Sequence, residues 1–522
     1  VNSQIGSILD LLMMLALCTL IMVGVPVVFI LTGCAIVFGA LGILFGAFDP
    51  FMFGALAQRV FGTMTSEVLI AIPLFIFMGM MLEKSKIAPD LLEAMGRLFG
   101  KLRGGLAVSV TLVGALLAAS TGIVGATVVT MGLIALPAMM RRNYDPAFSC
   151  GTICAAGTLG QIIPPSTVMV ILGEVLASAY QQAQLAQGKF SIETISVGQL
   201  FAGSMLPGLM LAGLYISYQV ALCWWKPEVG PAIPSRESEG VTAGQLARAL
   251  VPPLVLVIAV LGSILGGIAT PTEAASVGAV GATLLAGLRI DPRHPWPIYL
   301  AVLAALGLVL LGSVFDMRLG RENASAADRA AVFVAAGLAL LLAYGIVVSF
   351  RRAFGGGMLG AVSHSTMTIT AMIFATLIGA TLFSLVFRGL GGDDMIRGFL
   401  EMVPGGKYGA LLVVMLVIFI LGFPLDFVEI VIIVVPIVGP VLLQMGIDPI
   451  WFGVLIAMNL QTSFLTPPLG PTLFYIQGVL PPGVTSADVY RGVTPFVLLQ
   501  VLGLTLVVLF PALATWLPDL LF

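Results

Sequence analysis

Charge is scarce in this sequence: 23 lysines and arginines and 25 acids are spread over 522 residues, with two histidines. The net charge of −2 says nothing about partners, but the sequence has no basic patch for a nucleic acid. His294 and His364 are too few for a histidine-based metal site. The five cysteines lie in apolar segments, and Cys150 and Cys154 share a helix face where thiols act as small hydrophobes. HExxH and GxSxG motifs are absent, so nothing supports a membrane-embedded protease or acyltransferase. Arg59 is the first positive residue. The N-terminal apolar segment therefore lacks the basic flank of a secretory signal and is expected to be retained as a helix.

What the sequence has is apolar length. Hydrophobic residues make up 59% of it and the mean hydropathy is +1.12, values that soluble domains do not reach. A bilayer crossing needs about 20 mostly apolar residues. Residues 11–48 and 104–140 carry no charged side chain, and such stretches recur along the whole chain. Their number predicts roughly a dozen crossings with no soluble domain left over.

Charges mark the loops. Lys84, Lys86, Arg97, Lys101 and Arg103 place the first long polar stretch in the cytoplasm. Arg141 and Arg142 follow an apolar stretch broken only at Ser120, Thr121 and Gly122, so both flanks are positive. A re-entrant hairpin with arms 104–119 and 125–140 fits better than a crossing; two ordinary short helices joined by a tight turn are the alternative.

The next apolar run contains Gly157-Thr158-Leu159-Gly160-Gln161-Ile162-Ile163-Pro164-Pro165-Ser166. Two adjacent prolines remove two amide donors and push the preceding residue out of the helical region, so a continuous helix cannot carry this centre. Irregular backbone at membrane depth survives only inside protein or around a polar cavity, which makes the segment a site candidate. The same figure returns at Asn459-Leu460-Gln461-Thr462-Ser463-Phe464-Leu465-Thr466-Pro467-Pro468. Pro137 pairs with Pro440, Asp145 with Asp448, Pro146 with Pro449 and Pro164-Pro165 with Pro467-Pro468, each 303 positions apart and without a gap. An internal repeat explains this better than chance.

Orientation follows from Lys226, Arg236 and Arg248, from Arg289 and Arg293, and from Arg351 and Arg352, all read as cytoplasmic. Residues 359–387 then carry the chain out, and the second hairpin enters from the periplasm. Arg388, Arg397 and Lys407 count against this, since they would be periplasmic. The expected fold is an all-α polytopic membrane protein of two inverted repeats, each with a re-entrant helical hairpin and a Pro-Pro-interrupted transmembrane helix. Residues 1–103 are read as N-terminal scaffold helices and 104–226 as repeat 1, with hairpin 104–142, interrupted helix 147–180 and helix 197–225. A cytoplasmic linker at 227–247 leads to scaffold helices at 248–290. An extra helix pair with a polar loop fills 291–356. Repeat 2 covers 357–522, with hairpin 408–445, interrupted helix 450–478 and final helix 495–518.

These residues resemble the large membrane subunit of tripartite ATP-independent periplasmic (TRAP) transporters, within the wider ion-transporter superfamily, over most of the chain. The resemblance rests on residues 157–166 (GTLGQIIPPS), 200–208 (LFAGSMLPG), 266–275 (GGIATPTEAA), 421–426 (LGFPLD) and 466–470 (TPPLG). It implies a sodium-driven elevator importer of small organic anions in the bacterial inner membrane. It further implies a periplasmic substrate-binding protein and a small four-helix membrane subunit as partners, no ATP use, and no cofactor beyond sodium as coupling ion. One departure is the first hairpin tip, Ser120-Thr121-Gly122-Ile123-Val124-Gly125, where many relatives have a Ser-Gly-Ser run followed by an acid.

Sodium wants several oxygen ligands, and unwound backbone with hydroxyls supplies them without excess charge. Candidate cation ligands are Ser120, Thr121, Gly122, Thr158 and Gly160 in one set, and Asp426, Asn459, Thr462, Ser463 and Thr466 in the other. Gly125, Pro164, Pro165, Ser166, Pro467, Pro468 and Gly470 are candidates to meet a carboxylate substrate at half-helix N-termini. Each hydroxyl has a plainer alternative, back-bonding to a helix carbonyl. Asp426 and Glu429 are the only charges between Tyr408 and Ile447, and acids at such depth are costly. Asp426 is the stronger ion-site candidate, while Glu429 can also snorkel or meet the scaffold. Glu273, in Thr270-Pro271-Thr272-Glu273, is read as fixing a helix start. Two other readings remain: an anion symporter or antiporter of the same superfamily working without a binding protein, and a passive channel or structural subunit. A passive protein would not require two interrupted helices in inverted copies.

Overall fold

The computed structural model describes residues 2–85, 87–121, 124–232, 243–318 and 325–522, and among them there are helices and turns but no strand. Helices α1 (Asn2–Val23), α2 (Val27–Leu44) and α3 (Gly54–Met64) lead into α4 (Ala71–Lys84) and α5 (Ile87–Phe99). Then come α6 (Gly105–Thr121), α7 (Val124–Arg141), α8 (Pro146–Thr158), α9 (Thr167–Ala186) and α10 (Val197–Trp225). The middle of the chain holds α11 (Ala243–Leu265), α12 (Pro271–Ile290), α13 (Trp296–Val314) and α14 (Ala326–Gly355). The rest comprises α15 (Met358–Leu390), α16 (Gly392–Met402), α17 (Gly406–Leu421), α18 (Phe427–Gln444), α19 (Pro449–Leu465), α20 (Pro471–Gln477), α21 (Ser486–Leu509) and α22 (Ala512–Leu521). Lys86, Gly122, Arg236 and parts of the 227–247 linker and the 316–329 loop lie outside the described residues.

Ten of these helices are long and apolar enough to cross a bilayer, and α7 and α18, the second arms of the two hairpins, are among them. Helices α16 and α17 meet at a 116° bend and bring the number to eleven if taken as one span. The protein is a polytopic, all-α membrane protein.

The two interrupted helices begin on the same device. Asp145 precedes Pro146 with φ −59° and ψ 129°, and its carboxylate accepts from Phe148 N at 2.8 Å. Asp448 precedes Pro449 with φ −64° and ψ 128°, and accepts from Trp451 N at 2.8 Å. Proline at the first helical position gives up an amide that has no helical partner, and the aspartate satisfies another. Helix α8 then runs to Thr158 and continues as a 3₁₀ turn at Leu159–Gln161, whereas α19 stays α-helical to Leu465. The second interruption thus begins at Thr466, and the first seven residues of the figure quoted from Asn459 remain helical. Both Pro-Pro bonds, Pro164–Pro165 and Pro467–Pro468, are cis.

Helices α8 and α19 are buried almost end to end and form the centre of the molecule. Helix α9, beyond the first interruption, packs on the hairpin arm α18; helix α20, beyond the second, packs on the hairpin arm α7. The segments after each interruption are thus exchanged between the two hairpins. Around them α1, α2, α4, α12 and α15 pack into a frame. Helices α13 and α14, the extra pair, pack on each other and on α12 through Leu284, Ile298 and Ala301, with most of their remaining surface exposed.

Glu273 does what its motif predicts. Thr270 N donates to its carboxylate at 2.8 Å, and Glu273 N donates to Thr270 Oγ1 at 3.3 Å, a capping box at the start of α12. Cys150 and Cys154 are free and buried, as small hydrophobes are.

Candidate functional site

The first interruption is enclosed. Thr158, Gly160, Gln161, Pro164, Pro165 and Ser166 are buried, and Ser166 precedes α9 in an extended conformation, its hydroxyl without a hydrogen-bond partner among the described residues. The Gln161 side-chain oxygen is also buried without a partner. The second interruption is more open: Pro468 and Leu469 are exposed, while Gly470 is buried. A Cβ on Gly470 would strike the Phe464 carbonyl, so the turn tolerates only glycine there. Gly470 N donates to Thr466 O at 3.0 Å.

The candidate hydroxyls take the plainer option as donors. Thr158 donates to Ala155 O at 2.9 Å, Thr462 to Met458 O at 2.8 Å, Ser463 to Leu460 O at 2.9 Å and Thr466 to Thr462 O at 2.7 Å. This explains why α19 persists through Thr462 and Ser463: each hydroxyl is satisfied within the helix. Back-bonding uses the hydrogen and leaves the oxygen lone pairs as acceptors.

Where α8 and α19 cross, Gln461 Nε2 donates to Thr158 Oγ1 at 3.3 Å, and these two residues are 303 positions apart. Equivalent positions of the repeat therefore touch. Gln500 Nε2 of α21 donates to the same oxygen at 3.3 Å, and the buried Tyr215 hydroxyl of α10 lies against the group. Beside it Gln219 Nε2 donates to Thr111 Oγ1 at 2.7 Å. Neutral polar side chains thus tie α8, α19 and α21 together at Thr158 and α10 to α6 at Gln219, at the centre of an apolar molecule. The sequence reading passed over Gln461, Gln500 and Tyr215. Gln461 stood inside the quoted motif and at the register of Thr158, which was the available signal.

The hairpins close on this centre. Ala156 of α8 sits against Gly114 of α6, and Asn459 of α19 donates to Met415 O of α17 at 2.7 Å. At the second tip, Gly422 lies so close to Ser463 that a Cβ there would meet the Ser463 Cβ at 2.8 Å. Asp426 takes the position preceding α18, with φ −74° and ψ 158°, and its amide donates to Glu429 at 3.1 Å. The pair thus has a helix-starting role that the sequence reading did not give it. Asp426 is exposed and Glu429 half-buried. At the first tip Ser120 and Thr121 end α6, and Gly122 lies outside the described residues. Gly125 in the first turn of α7 faces the Tyr475 ring, at 3.0 Å from where its Cβ would be. One aromatic side chain of α20 thus packs against the first turn of the hairpin arm α7.

The sequence family described as tripartite ATP-independent periplasmic transporter, DctM component, matches residues 12–513. The chain belongs to this family. The permease is 29% identical over 481 residues to the C4-dicarboxylate TRAP transporter large permease protein DctM of Pseudomonas aeruginosa, covering 92% of each chain. It is 29% identical to the Vibrio cholerae protein of the same description, covering 96% of each. It is 26% identical to the ectoine/5-hydroxyectoine TRAP transporter large permease protein UehC of Ruegeria pomeroyi, covering 91% of this chain. Among solved structures, the Alcanivorax borkumensis YdaH transporter shares the fold, with a TM-score of 0.56 at 15% identity over 99% of this chain and 98% of that one. The permease is a multi-pass inner-membrane transport protein of a family that is not an enzyme family.

Proposed function

We propose that this permease imports a small organic anion of the carboxylate or dicarboxylate class, driven by sodium, through an elevator movement of the body built from α6–α9 and α17–α20. The observation that carries the reading is the pair of interrupted helices. They start on identical Asp-Pro caps, break at Pro-Pro 303 positions apart and meet at Thr158 and Gln461. Two inverted repeats related about that contact account for the exchanged packing of α9 with α18 and α20 with α7. The dicarboxylate named for two relatives supports the substrate class. Family membership supports a periplasmic binding protein and a small membrane subunit as partners.

In this reading one cation site is assembled from Ser120, Thr121, Gly122, Thr158 and Gly160, and the other from Asp426, Asn459, Thr462, Ser463 and Thr466. The substrate meets Gly125, Pro164, Pro165, Ser166, Pro467, Pro468 and Gly470. The back-bonded hydroxyls of Thr462, Ser463 and Thr466 offer lone pairs, which is what a hard cation takes, whereas Thr158 Oγ1 would have to give up its Gln461 and Gln500 donors to do so. Asp426→Asn and Asp426→Ser both keep a good helix-capping residue while removing the charge. In proteoliposomes holding the permease with its partners, each is expected to raise the sodium concentration for half-maximal uptake about tenfold, equivalent to about 1.4 kcal/mol. Unchanged sodium dependence in both variants would remove Asp426 from the ion site.

A further inference from the structure

A cavity of about 420 Å³ lies where α3, α9, α15 and α18 come together. That is within the size range of small-molecule sites. Its lining brings together Arg59 from α3, Glu174 and Ser178 from α9, and Thr381, Ser384 and Arg388 from α15, of which Arg59 and Ser178 are exposed and the others half-buried. In a membrane protein, polar and charged groups that converge on a cavity between helices mark ion or substrate paths.

The charges do not cancel. Glu174, the one acid in the lining, accepts from Ser66 at 3.1 Å. Arg388 has its Nε 3.7 Å from Asp393, outside the lining, and donates through Nη2 to Pro436 O at 3.0 Å. Arg59 is exposed and has no ion-pair partner among the described residues, although its charge is felt at Arg388. Two guanidinium groups against a single carboxylate, with the Ser178 and Ser384 hydroxyls beside them, make a pocket for an anion. Arginine suits a carboxylate best, because its planar fork can present two parallel donors. The walls also belong to both bodies: α9 and α18 carry the exchanged contacts, while α15 packs in the surrounding frame.

We propose that this cavity is an anion antechamber, which holds a small mono- or dicarboxylate on Arg59 and the Ser178 and Ser384 hydroxyls before it reaches the interruptions. The ligand class rests on the anion-import reading above, but the cavity is testable without transport.

The full chain carrying Cys18→Ser and Thr381→Cys, in nanodiscs and sodium-free buffer, is labelled with a sulfonate-bearing or a trimethylammonium-bearing methanethiosulfonate. Cys18 is the one exposed native cysteine, so its removal clears the background. After correction for the reagents' rates on free cysteine, the anionic reagent is expected to react about tenfold faster, the lower end of what a focused local potential produces. Arg59→Gln should bring the ratio near one and Arg59→Lys should preserve it. Succinate should slow labelling in the Arg59 chain only. Ser384→Cys repeats the measurement should Thr381→Cys not fold. Equal rates for the two reagents, indifference to Arg59→Gln, or no protection by succinate would each overturn the antechamber. Charge preference and protection in a chain that takes up no carboxylate would uphold the antechamber and sink the import reading.

Discussion

At the scale of single residues, Pro440 creates a need that Arg388 meets. A proline has no amide hydrogen, so Pro436 O loses its helical partner four residues on, and the Arg388 guanidinium supplies one from α15 at 3.0 Å. Arg388→Gln is expected to lower stability by about 1–3 kcal/mol, the cost of a buried acceptor left unmade. In a Pro440→Ala background the helix provides its own donor, so the loss should shrink; an equal loss in both backgrounds, read by thermal unfolding, would contradict the assignment. Arg397 donates to the Gln444 side chain at 2.8 Å and Lys407 to Gly446 O at 3.3 Å, at the C-terminal end of α18. The three cations that weighed against an inverted second half are therefore employed locally, where a helix C-terminus favours positive charge. Asp10 is the opposite case, since both carboxylate oxygens are buried with no hydrogen-bond partner among the described residues. Asp10→Asn removes a buried unpaired acid and is expected to hold or raise the unfolding temperature; a fall of several degrees would show that the carboxylate has a partner in the membrane. Asp426 shows how far a residue can be read in sequence. Its cost at depth was legible, but the Asp-x-x-Glu spacing that pairs it with Glu429 is also a capping pattern, and an apolar context hides that second meaning.

At the scale of elements, close crossing depends on glycine. A Cβ on Gly151 of α8 would fall on the Gly492 carbonyl of α21, and a Cβ on Gly492 would fall on the Ala147 carbonyl. Backbone cannot yield as a flexible side chain does, so Gly151→Ala and Gly492→Ala are each expected to cost about 1–3 kcal/mol or more. Gly213→Ala, with open space around it, should be neutral in the same thermal assay. A tolerant Gly151 would mean that α8 and α21 do not meet as described. The interruptions themselves were legible because paired prolines cannot be hidden in a helix. Their edges were not: hydroxyls at Thr462 and Ser463 bond back to their own helix and extend it to Leu465. Nor could the sequence show that α8 rests on α21, or that Gln461 reaches Thr158, since both depend on contacts between distant segments.

At the scale of the molecule, two hairpins and two interrupted helices share one centre, tied by Thr158, Gln461 and Gln500, with Tyr215 packed against them, and surrounded by a frame of longer helices. A passive pore needs no such pairing of breaks and caps 303 positions apart; a carrier that exposes one site alternately to two sides does. The most direct measurement is uptake of labelled succinate by proteoliposomes holding the permease with its binding protein and small subunit. With sodium outside only and no ATP, succinate should accumulate above its external concentration. Equalising sodium across the membrane should abolish accumulation. Accumulation independent of the sodium gradient, or uptake that stops at the external concentration whatever the gradient, would contradict the account.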